Sequence, residues 1–506
     1  MGYETLKPYF GDLHNHCGIS YGHGSLTDAL NNAAQRLDFC SVTGHAAWPD
    51  MPPETPRIKP ILDFHHVGFA KLREGWPRVL ETLRRRTKEG AFVLFPGYEI
   101  HSSAFGDYTI LYKQIAGDII YAASPPALEA ALREFRGTGN DGLAFPHHLA
   151  YRRGHRGVNW DAFSETLSPL VEIISMHGCS EGNENIRPFL HSMGPSDWHS
   201  TMQYGLARGY VFGVLGNTDH HSAHPGSYGH GLTGLWASSL TRNEIWRALR
   251  DRRTYALTGD KIVLQYSING APMGSVIPRA GRRAIDIEVE GRAPIDYVDV
   301  VKNNRLLRRF SETDSEPQPM ASPFETLLYL ELGWGSKGRS YTWDATFGIS
   351  EGEILDVEPR FRGLEVLSPL DKEDGRFKFF QSRWDQIDER TVHFETVTSG
   401  NPTTTTPGTQ GVCLRVVMPL QANVVMTLND WSIHVPLRRL VEGAYADYTG
   451  SIDSPAFRLH RAPSTWEYRW SISFEDEHAD GEPAFYYVRV RQKNDQWAWS
   501  SPIFCH

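Results

Sequence analysis

In the first half of the chain, short apolar runs alternate with amphipathic patterns. One helix is predicted to open at Ser25 ("SLTDALNNAAQRL"), and another after Ser124, which caps it ahead of two prolines ("SPPALEAALREFRG"). Apolar runs such as "DFCSVTGH", "LAFPHH", "LVEIISMHG" and "YVFGVLGNTDHH" are typical of buried strands. Strands that alternate with helices predict an α/β fold with a parallel sheet, whose chemistry lies at the carboxyl ends of the strands.

The pattern changes after residue 256. Thr241 and Glu244 predict a capping box on the last helix of the first half. Beyond it, "RAIDIEVEG" and "YYVRVRQK" alternate apolar and polar residues, which indicates antiparallel sandwich strands. We expect an α/β domain over 1–256 and a β-sandwich region over 257–506. That region holds one or two modules, with an insertion at about 310–480.

The β-sandwich region shows no catalytic constellation. Its stretches 311–323 and 398–409 have the composition of loops. It could cover the mouth of the first domain, form a dimer interface or bind sugar through its tryptophans. We expect a packing scaffold, and we leave a homo-oligomer open.

Composition excludes several classes of protein. The formal net charge of −9 gives no electrostatic footprint for nucleic acid or an anionic membrane. No apolar run reaches membrane-spanning length, and the N-terminus lacks the features of a signal peptide, so we expect a cytoplasmic protein. The five cysteines contain no CxxC pair, which argues against a disulfide framework or a thiolate zinc cluster.

The histidines are distributed unevenly. Seventeen of the 22 lie in residues 1–256. His14 and His16, in "DLHNHCGIS", would point the same way from an extended strand. The donors that follow apolar runs are His14, His16, His45, Glu99, His147, His177, Asp219 and His221. Eight such donors exceed what one ion can use, so we expect two or three divalent metal ions (zinc, manganese or iron).

Neighbouring histidines leave some ligand assignments open. In "FPHHLAY" we favour His147, because His148 should point to the opposite face of a continuing strand. In "TDHH" the spacing puts Asp219 and His221 on one side and leaves His220 as a bystander. Four further histidines are interpreted as surface or core residues: His65, His66, His191 and His199.

These motifs resemble a known family. "DLHNHCGIS", the strand-end His45, "GYEI", "PHH" and "TDHH" are similar to the motifs of the PHP (polymerase and histidinol phosphatase) metallohydrolases. More narrowly, "YFGDLH", "HGCSEG", "HPGSYGHGLTGLWASSLTRNEIWRALRDRRTYALTG" and "INGAPMGS" resemble the DUF3604 or CehA/McbA-type branch, which includes carbaryl hydrolases. The resemblance covers residues 8–275 and a stretch near the C-terminus, and it fades between about 310 and 480.

The resemblance implies a distorted (β/α)7 barrel with a di- or trinuclear metal centre. It implies three ligand sets. The first consists of His14, His16, Asp219 and Glu99. The second consists of Glu99, His147 and His177, and the third of His45, His221 and His23. Two departures weaken the third set. Gly44 stands where the family usually has aspartate, and His23 lies one residue further from the first pair than usual.

A centre of this kind predicts a hydrolase that uses a metal-bridging hydroxide and forms no covalent intermediate. Glu99 and Asp219 are its central carboxylates. Arg152, in "LAYRRGHRG", suits an anionic substrate, although this stretch could equally be a solvated charge run. Arg208 and His230 are further candidates for substrate contact or proton delivery.

We expect a small-molecule ester as substrate, with phosphoester hydrolysis as the leading reaction. Carbamate or carboxyl-ester hydrolysis is the alternative reaction. A third reading, from a different class, is a catalytically inactive metal-containing binding protein, which the missing aspartate at position 44 would favour.

Overall fold

The computed structural model describes residues 2–184, 186–279, 281–314, 321–364, 380–400, 408–477 and 482–506. Parts of the two stretches expected to be loops, 315–320 and 401–407, lie outside the described residues. The helices of the described chain are α1 (Leu26–Ala34), α2 (Lys59–Arg86), α3 (Pro125–Gly137), α4 (Met202–Ala207), α5 (Arg242–Arg250), α6 (Leu437–Glu442) and α7 (Thr465–Tyr468). None of these helices combines the length and the apolarity needed to cross a membrane.

Thirty-two strands are described, and they make the chain more β-rich than the sequence pattern indicated. The first twelve are β1 (Lys7–Asp12), β2 (Phe39–Cys40), β3 (Thr43–Ala47), β4 (Val93–Leu94), β5 (Gly97–Ile100), β6 (Tyr108–Tyr112), β7 (Gly142–Pro146), β8 (Leu170–Ser175), β9 (Gly178–Cys179), β10 (Gly213–Gly216), β11 (Leu232–Ala237) and β12 (Thr254–Leu257). The next ten are β13 (Val263–Ile268), β14 (Ala271–Pro272), β15 (Val276–Ile277), β16 (Arg282–Glu290), β17 (Ile295–Lys302), β18 (Arg305–Ser311), β19 (Phe324–Trp334), β20 (Ser340–Ile349), β21 (Glu353–Pro359) and β22 (Arg383–Asp388). The last ten are β23 (Thr391–Ser399), β24 (Gln410–Met418), β25 (Asn423–Leu428), β26 (Trp431–Pro436), β27 (Tyr445–Tyr448), β28 (Pro455–Leu459), β29 (Arg469–Glu477), β30 (Ala484–Gln492), β31 (Trp497–Ser500) and β32 (Ile503–Cys505).

Capping explains where the predicted helices begin. The Ser25 hydroxyl accepts the Asp28 N–H at the start of α1, and Ser124 accepts the Ala127 N–H at the start of α3, as predicted. Thr241 caps α5, but the Glu244 carboxylate accepts a hydrogen bond from the Ser238 hydroxyl, so the expected reciprocal capping box is not formed there.

The parallel sheet predicted for the first half is present only in part. Strands β1, β2 and β4 pair in parallel, as do β3 with β5 and β8 with β10. However, β5, β6 and β7 run antiparallel, and β11 pairs antiparallel with β1. The described strands before residue 256 therefore fall into three hydrogen-bonded sheets, and the expected (β/α)7 barrel is not confirmed.

One sheet joins the two halves of the chain. From β1 it continues through β11 and β12 to β31, β30 and β32, so strands on both sides of residue 256 share it. Trp499 lies opposite Ala256 in this sheet and is fully buried. The division at residue 256 stays a prediction.

The described strands of the later half pair antiparallel, as their alternating pattern predicted, except β15 and β32, which pair in parallel. Two five-stranded sheets, β21-β24-β19-β28-β27 and β22-β23-β20-β25-β26, bury one shared core. Leu330 and Leu414 enter that core from one sheet, and Trp343 and Phe394 enter it from the other. This packing is that of a β-sandwich.

Candidate metal centre

The ends of six strands place the predicted donors together. The donors and their strands are His14 and His16 after β1, His45 in β3, Glu99 in β5, His147 after β7, His177 after β8, and Asp219 and His221 after β10. Of these residues all but His221 are more than nine-tenths buried, and the His221 side chain is 16% exposed. The fold thus gathers residues that are more than 200 positions apart in the sequence.

Glu99 lies at the middle of the cluster. Its Oε2 atom is 3.4 Å from His14 Nε2, 3.3 Å from His16 Nε2 and 3.4 Å from His45 Nε2. Its Oε1 atom is 3.3 Å from His147 Nε2. His101 Nδ1 lies 2.9 Å from the same Oε1 atom. One carboxylate therefore faces five imidazole nitrogens, which would suit a ligand shared between cations.

Asp219 supplies the second carboxylate. Its Oδ1 atom lies 3.0 Å from His16 Nε2 and 3.4 Å from His14 Nε2, while Oδ2 lies 3.0 Å from His177 Nε2. A further group of possible metal ligands consists of His16, His45 and His221. The ligand atoms of all three residues lie within 4.8 Å of one another.

The opposite ring nitrogens of five of these six histidines are held by other groups, whereas His16 Nδ1 is buried and makes no hydrogen bond within the described structure. The contacts are His14 Nδ1 to Glu172 Oε2 (2.9 Å), His45 Nδ1 to Ser20 Oγ (3.2 Å), His147 Nδ1 to Thr109 Oγ1 (3.1 Å), His177 Nδ1 to the Tyr151 hydroxyl (2.9 Å) and His221 Nδ1 to the Asp219 carbonyl (2.8 Å). A carbonyl oxygen only accepts hydrogen bonds, so His221 donates from Nδ1. The Glu172 carboxylate likewise accepts a hydrogen bond from His14 Nδ1. Metal-binding imidazoles are oriented in this way.

The donor set fits divalent cations. The His14 and His16 Nε2 atoms are 3.2 Å apart, and both face the carboxylates of Glu99 and Asp219. A proton or a cation must lie among these atoms, because lone pairs at such distances repel. His147 Nε2 is buried and makes no hydrogen bond within the described structure, so it too is open to a cation.

The protonation states favour metal binding. Burial raises the pKa of Glu99, but the nearby imidazoles of His101 and His45 outweigh it and hold that pKa well below its usual value. Burial lowers the pKa of His147 and His221 to about 3. The carboxylate is thus ionised and these imidazoles are neutral near pH 7, which are the forms that bind metal.

His14 differs from the other imidazoles. Burial acts to lower its pKa, but the carboxylates of Asp219 and Glu172 outweigh burial and raise that pKa well above its usual value. In the absence of a cation, a proton on this ring balances the negative charge of the cluster.

A cavity of about 230 Å³ opens onto the cluster. Glu99, Asp219 and His221 lie on its wall. Its apolar lining is Tyr21, Ile61, Phe64, Met176 and Met193, and its further polar lining includes His65, His101, His148, Arg156 and His191. A small substrate could therefore reach the two carboxylates from this side.

Several of the predicted site residues do not line the cavity. Arg152 is exposed, and His230 stacks on His220 with ring centroids 5.4 Å apart. Among the described residues, neither Arg152 nor His230 lines the cavity. His23 is buried, and its backbone N–H donates to the His221 carbonyl at 2.8 Å. Arg208 is also remote from the cavity wall and pairs with Asp161.

Arg156 is the arginine of the "RRGHR" run that turns inward. Its guanidinium donates to the Asp107 carboxylate and lies over the Trp48 ring. Arg152 and Arg153 face outward in the same loop. Sequence spacing could not separate these arginines, because the buried partner Asp107 comes from a distant loop.

Several histidines of the cavity were assigned to other roles or missed. His148 has a φ of 33°, so the strand alternation ends at Pro146 and the ring joins the cavity wall beside Asp107. His65 and His191, expected as surface or core, also line the cavity. His101 follows Glu99 by two residues, and this spacing was a signal that it shares the same face.

Gly44 does not mark a lost ligand. A Cβ atom at this position would lie 2.7 Å from Leu72 Cδ1, on the α2 side of β3, whereas His45 faces the cluster. An aspartate at position 44 would thus be directed into the packing of α2. The absence of an aspartate at position 44 therefore does not favour an inactive protein.

Residues 18–22 ("GISYG") match the GxSxG pattern of serine hydrolases. Ser20 Oγ accepts the His45 N–H at 3.0 Å and lies 3.2 Å from His45 Nδ1. In a nucleophile elbow a strand leads directly into the serine, whereas no described strand does so at Ser20. Ser20 is also not among the residues that line the cavity. Ser20 therefore orients His45.

Fold and site together define a mixed α/β chain, rich in strands, whose histidine and carboxylate groups could bind divalent metal. The chain aligns with a solved structure from Bacteroides vulgatus ATCC 8482, described as a two-domain protein containing a predicted PHP-like metal-dependent phosphoesterase. The alignment covers 94% of this chain and 97% of the other, with a TM-score of 0.32 and 12% sequence identity. These values are too low to define the fold or the activity of this chain.

Sequence relatives extend over one part of the chain. A protein of Chlamydia trachomatis, described as uncharacterized, is 28% identical over 190 residues, which make up 34% of this chain and 30% of that protein. A protein of Chlamydia muridarum with the same description is 27% identical over 190 residues. The chain thus spans about 30% of the length of the curated relatives it matches. No family model matches the chain.

Proposed function

We propose that the chain is a metal-dependent hydrolase of small-molecule esters, of the PHP type and the DUF3604 branch that its motifs resemble. The observation that carries this proposal is the convergence of imidazole Nε2 atoms on Glu99 and Asp219, with five of the six opposite Nδ1 atoms held by other groups. An ordinary buried histidine has no need of this arrangement, whereas a metal ligand does.

Two or three divalent cations would share the cluster. His14, His16 and Asp219 would hold one ion, and His147, His177 and Glu99 would hold another. His45 and His221 would hold a third, to which His23 was also assigned by resemblance. Zinc, manganese and iron all suit this mixture of imidazole and carboxylate ligands.

The chain's own residues prepare the site for hydrolysis. When bound, the cations supply Lewis acidity, which activates water and stabilises the charge that develops on the substrate. Glu99 and Asp219 hold fixed negative charge at the cavity floor, and the surrounding imidazoles keep both ionised. The buried walls exclude bulk water and so strengthen these electrostatic interactions.

Phosphoester hydrolysis is the leading reaction because Arg156 brings a guanidinium to the cavity wall. Guanidinium groups suit the oxygens of a phosphate ester. Carbamate or carboxyl-ester hydrolysis is the second candidate. The apolar side chains of Ile61, Phe64 and Met193 favour it, since they suit a neutral ester with an apolar substituent.

The test combines metal analysis with turnover. Protein purified without added metal is analysed for its elements, then assayed with aryl phosphate mono-, di- and triesters, aryl acetates and aryl carbamates. We expect two or more metals per chain and turnover that is abolished by a chelator and by His16→Ala. His199→Ala, at an exposed histidine, is the matched control. Less than one metal per chain without turnover, even after reconstitution with each metal, would contradict the proposal.

A further inference from the structure

The loop that carries Asp219 and His221 is held in an uncommon conformation. We call residues 217–231, between β10 and β11, the ligand loop. Asp219 and Ala223 in this loop both have a φ of 52°, in the left-handed region that side chains other than glycine rarely adopt. Such a backbone persists only when its surroundings fix it.

The first half of the chain supports one side of the ligand loop. The Asp219 N–H donates to the His14 carbonyl at 2.8 Å, which ties the second carboxylate to the first histidine pair. The Asn32 side chain donates to the Ala223 carbonyl at 2.7 Å, and the Gly226 N–H donates to Asp12 Oδ2 at 2.9 Å.

The later half of the chain supports the other side. We call residues 360–364, which follow β21, the covering segment. Its hydrogen bonds to the ligand loop include Tyr228 N–H to the Phe361 carbonyl (2.9 Å), Gly363 N–H to Ser227 Oγ (3.0 Å), Ser222 Oγ to the Leu364 carbonyl (2.8 Å) and Arg362 Nη1 to the Tyr228 carbonyl (2.6 Å).

Close packing at Gly363 brings the covering segment to the ligand positions. A Cβ atom at Gly363 would lie 2.5 Å from His220 Cε1 and 2.6 Å from His224 Cβ. His220 separates Asp219 from His221 in the sequence. An atom added at Gly363 must therefore shift the His220 ring and the His224 side chain, both of which belong to the ligand loop.

The covering segment is itself anchored. Arg360 is buried, and its guanidinium lies 2.9 Å from Asp260 Oδ1. The Tyr228 hydroxyl donates to the same Asp260 oxygen at 2.8 Å. One carboxylate thus links the covering segment to the ligand loop, so the two are fixed relative to each other.

We infer that the covering segment is a positioning element of the metal centre, supplied by the β-rich half of the chain. It fixes Asp219 and His221 for metal binding without touching the metal or the substrate. The inference rests on the proposed metal centre. It gives the later half a role in function beyond the packing scaffold that its sequence suggested.

Gly363→Ala tests the inference, with Gly443→Ala as the matched control. Gly443 lies in the same half, and a Cβ there would meet nothing closer than 3.8 Å. We expect Gly363→Ala to weaken the affinity for one equivalent of zinc at least tenfold in a titration against a chromogenic chelator. The visible absorption of the cobalt(II)-loaded protein should also change. The control should keep the wild-type affinity and spectrum.

Two further substitutions keep the inference testable if Gly363→Ala does not fold. Ser222→Ala removes the hydrogen bond to the Leu364 carbonyl, and Arg362→Met removes those to the Tyr228 and Thr409 carbonyls. Each variant should bind the same equivalent of zinc severalfold more weakly. Arg362→Lys, which keeps a cationic donor, should restore part of that loss. Unchanged affinity in all folded variants would overturn the inference while leaving the metal centre intact. A wild-type protein that binds no zinc or cobalt would instead refute the proposed function.

Discussion

At the scale of single residues, the cluster depends on groups that do not themselves bind metal. Glu172 is fully buried. Its Oε2 atom accepts hydrogen bonds from His14 Nδ1 at 2.9 Å and from the Asn217 side-chain amide at 2.9 Å. Both bonds fix the ring whose Nε2 atom faces Glu99 and Asp219. Partners of this kind fix the orientation of the ligand ring and raise its basicity.

Glu172→Gln should therefore weaken metal binding while keeping the shape of the side chain. Loss of such a partner lowers metal affinity roughly 10- to 100-fold. Chelator competition on the purified variant measures the change. Glu134→Gln, at an exposed position on α3, is the control and should bind metal like the wild type. Equal affinity in both variants would show that Glu172 does not orient His14.

The cavity wall gives a second prediction at this scale. Phe64 comes from the first turns of α2 and lines the cavity opposite the carboxylates. Phe64→Ala should reduce kcat/KM for aryl esters by about tenfold, because burying an aromatic ring contributes about 1.5–3 kcal/mol. Metal content should not change. Val67→Ala, at a position that is 70% exposed on the same helix, should leave kcat/KM unaltered.

At the scale of elements, capping residues predicted α1 and α3, while α2 was not predicted. Its 28 residues contain Pro77 and many charged side chains, so local sequence did not mark it as one helix. The donors after β1, β8 and β10 were predictable because each follows an apolar run. Arg156 and His148 were not, since their directions depend on Asp107 and on a positive φ that no periodicity reveals.

The β-sandwich offers a prediction on pH. Glu331 in β19 accepts hydrogen bonds from His460 at 2.9 Å and from Thr409 at 2.7 Å. Burial raises the Glu331 pKa, but these hydrogen bonds and the charge of His460 outweigh it and leave the pKa below its usual value. A lowered pKa in the folded state stabilises the protein above the unfolded pKa, and this stability is lost as pH falls through the folded value.

Glu331→Gln should thus be less stable than the wild type by about 1.5–3 kcal/mol at pH 7, the contribution of hydrogen bonds to a charged group. The difference should shrink as the pH falls below about 4, where the wild-type carboxylate also becomes protonated. Urea unfolding at a series of pH values measures it. A difference that stays constant down to pH 3 would show that the charge of Glu331 does not contribute.

At the scale of the whole molecule, the metal cluster connects strands that are remote in sequence. Ligands from β1, β3, β5 and the ends of β7, β8 and β10 meet only in the folded chain. Metal that binds only the folded state therefore stabilises it, by about 2.7 kcal/mol at a free concentration of 100 times Kd. Added zinc should raise the Tm of the apoprotein, and His16→Ala should lose most of this shift. An equal shift in the variant would place the stabilising metal at another site.

The two halves also depend on each other through their common sheet. Tyr255, Ala256 and Leu257 of β12 pair with Ser500, Trp499 and Ala498 of β31, and the covering segment packs on the ligand loop. A fragment of residues 1–256 would expose the apolar edge of β12, and such an edge invites aggregation. We expect this fragment to be insoluble or to lack a cooperative thermal transition, whereas the full chain unfolds cooperatively. Solubility and circular dichroism of both proteins provide the measurement. The opposite result would be a soluble, cooperatively folded fragment that binds metal with full affinity. It would support an independent domain ending at residue 256. It would also show that the β-rich half is not needed to position Asp219 and His221.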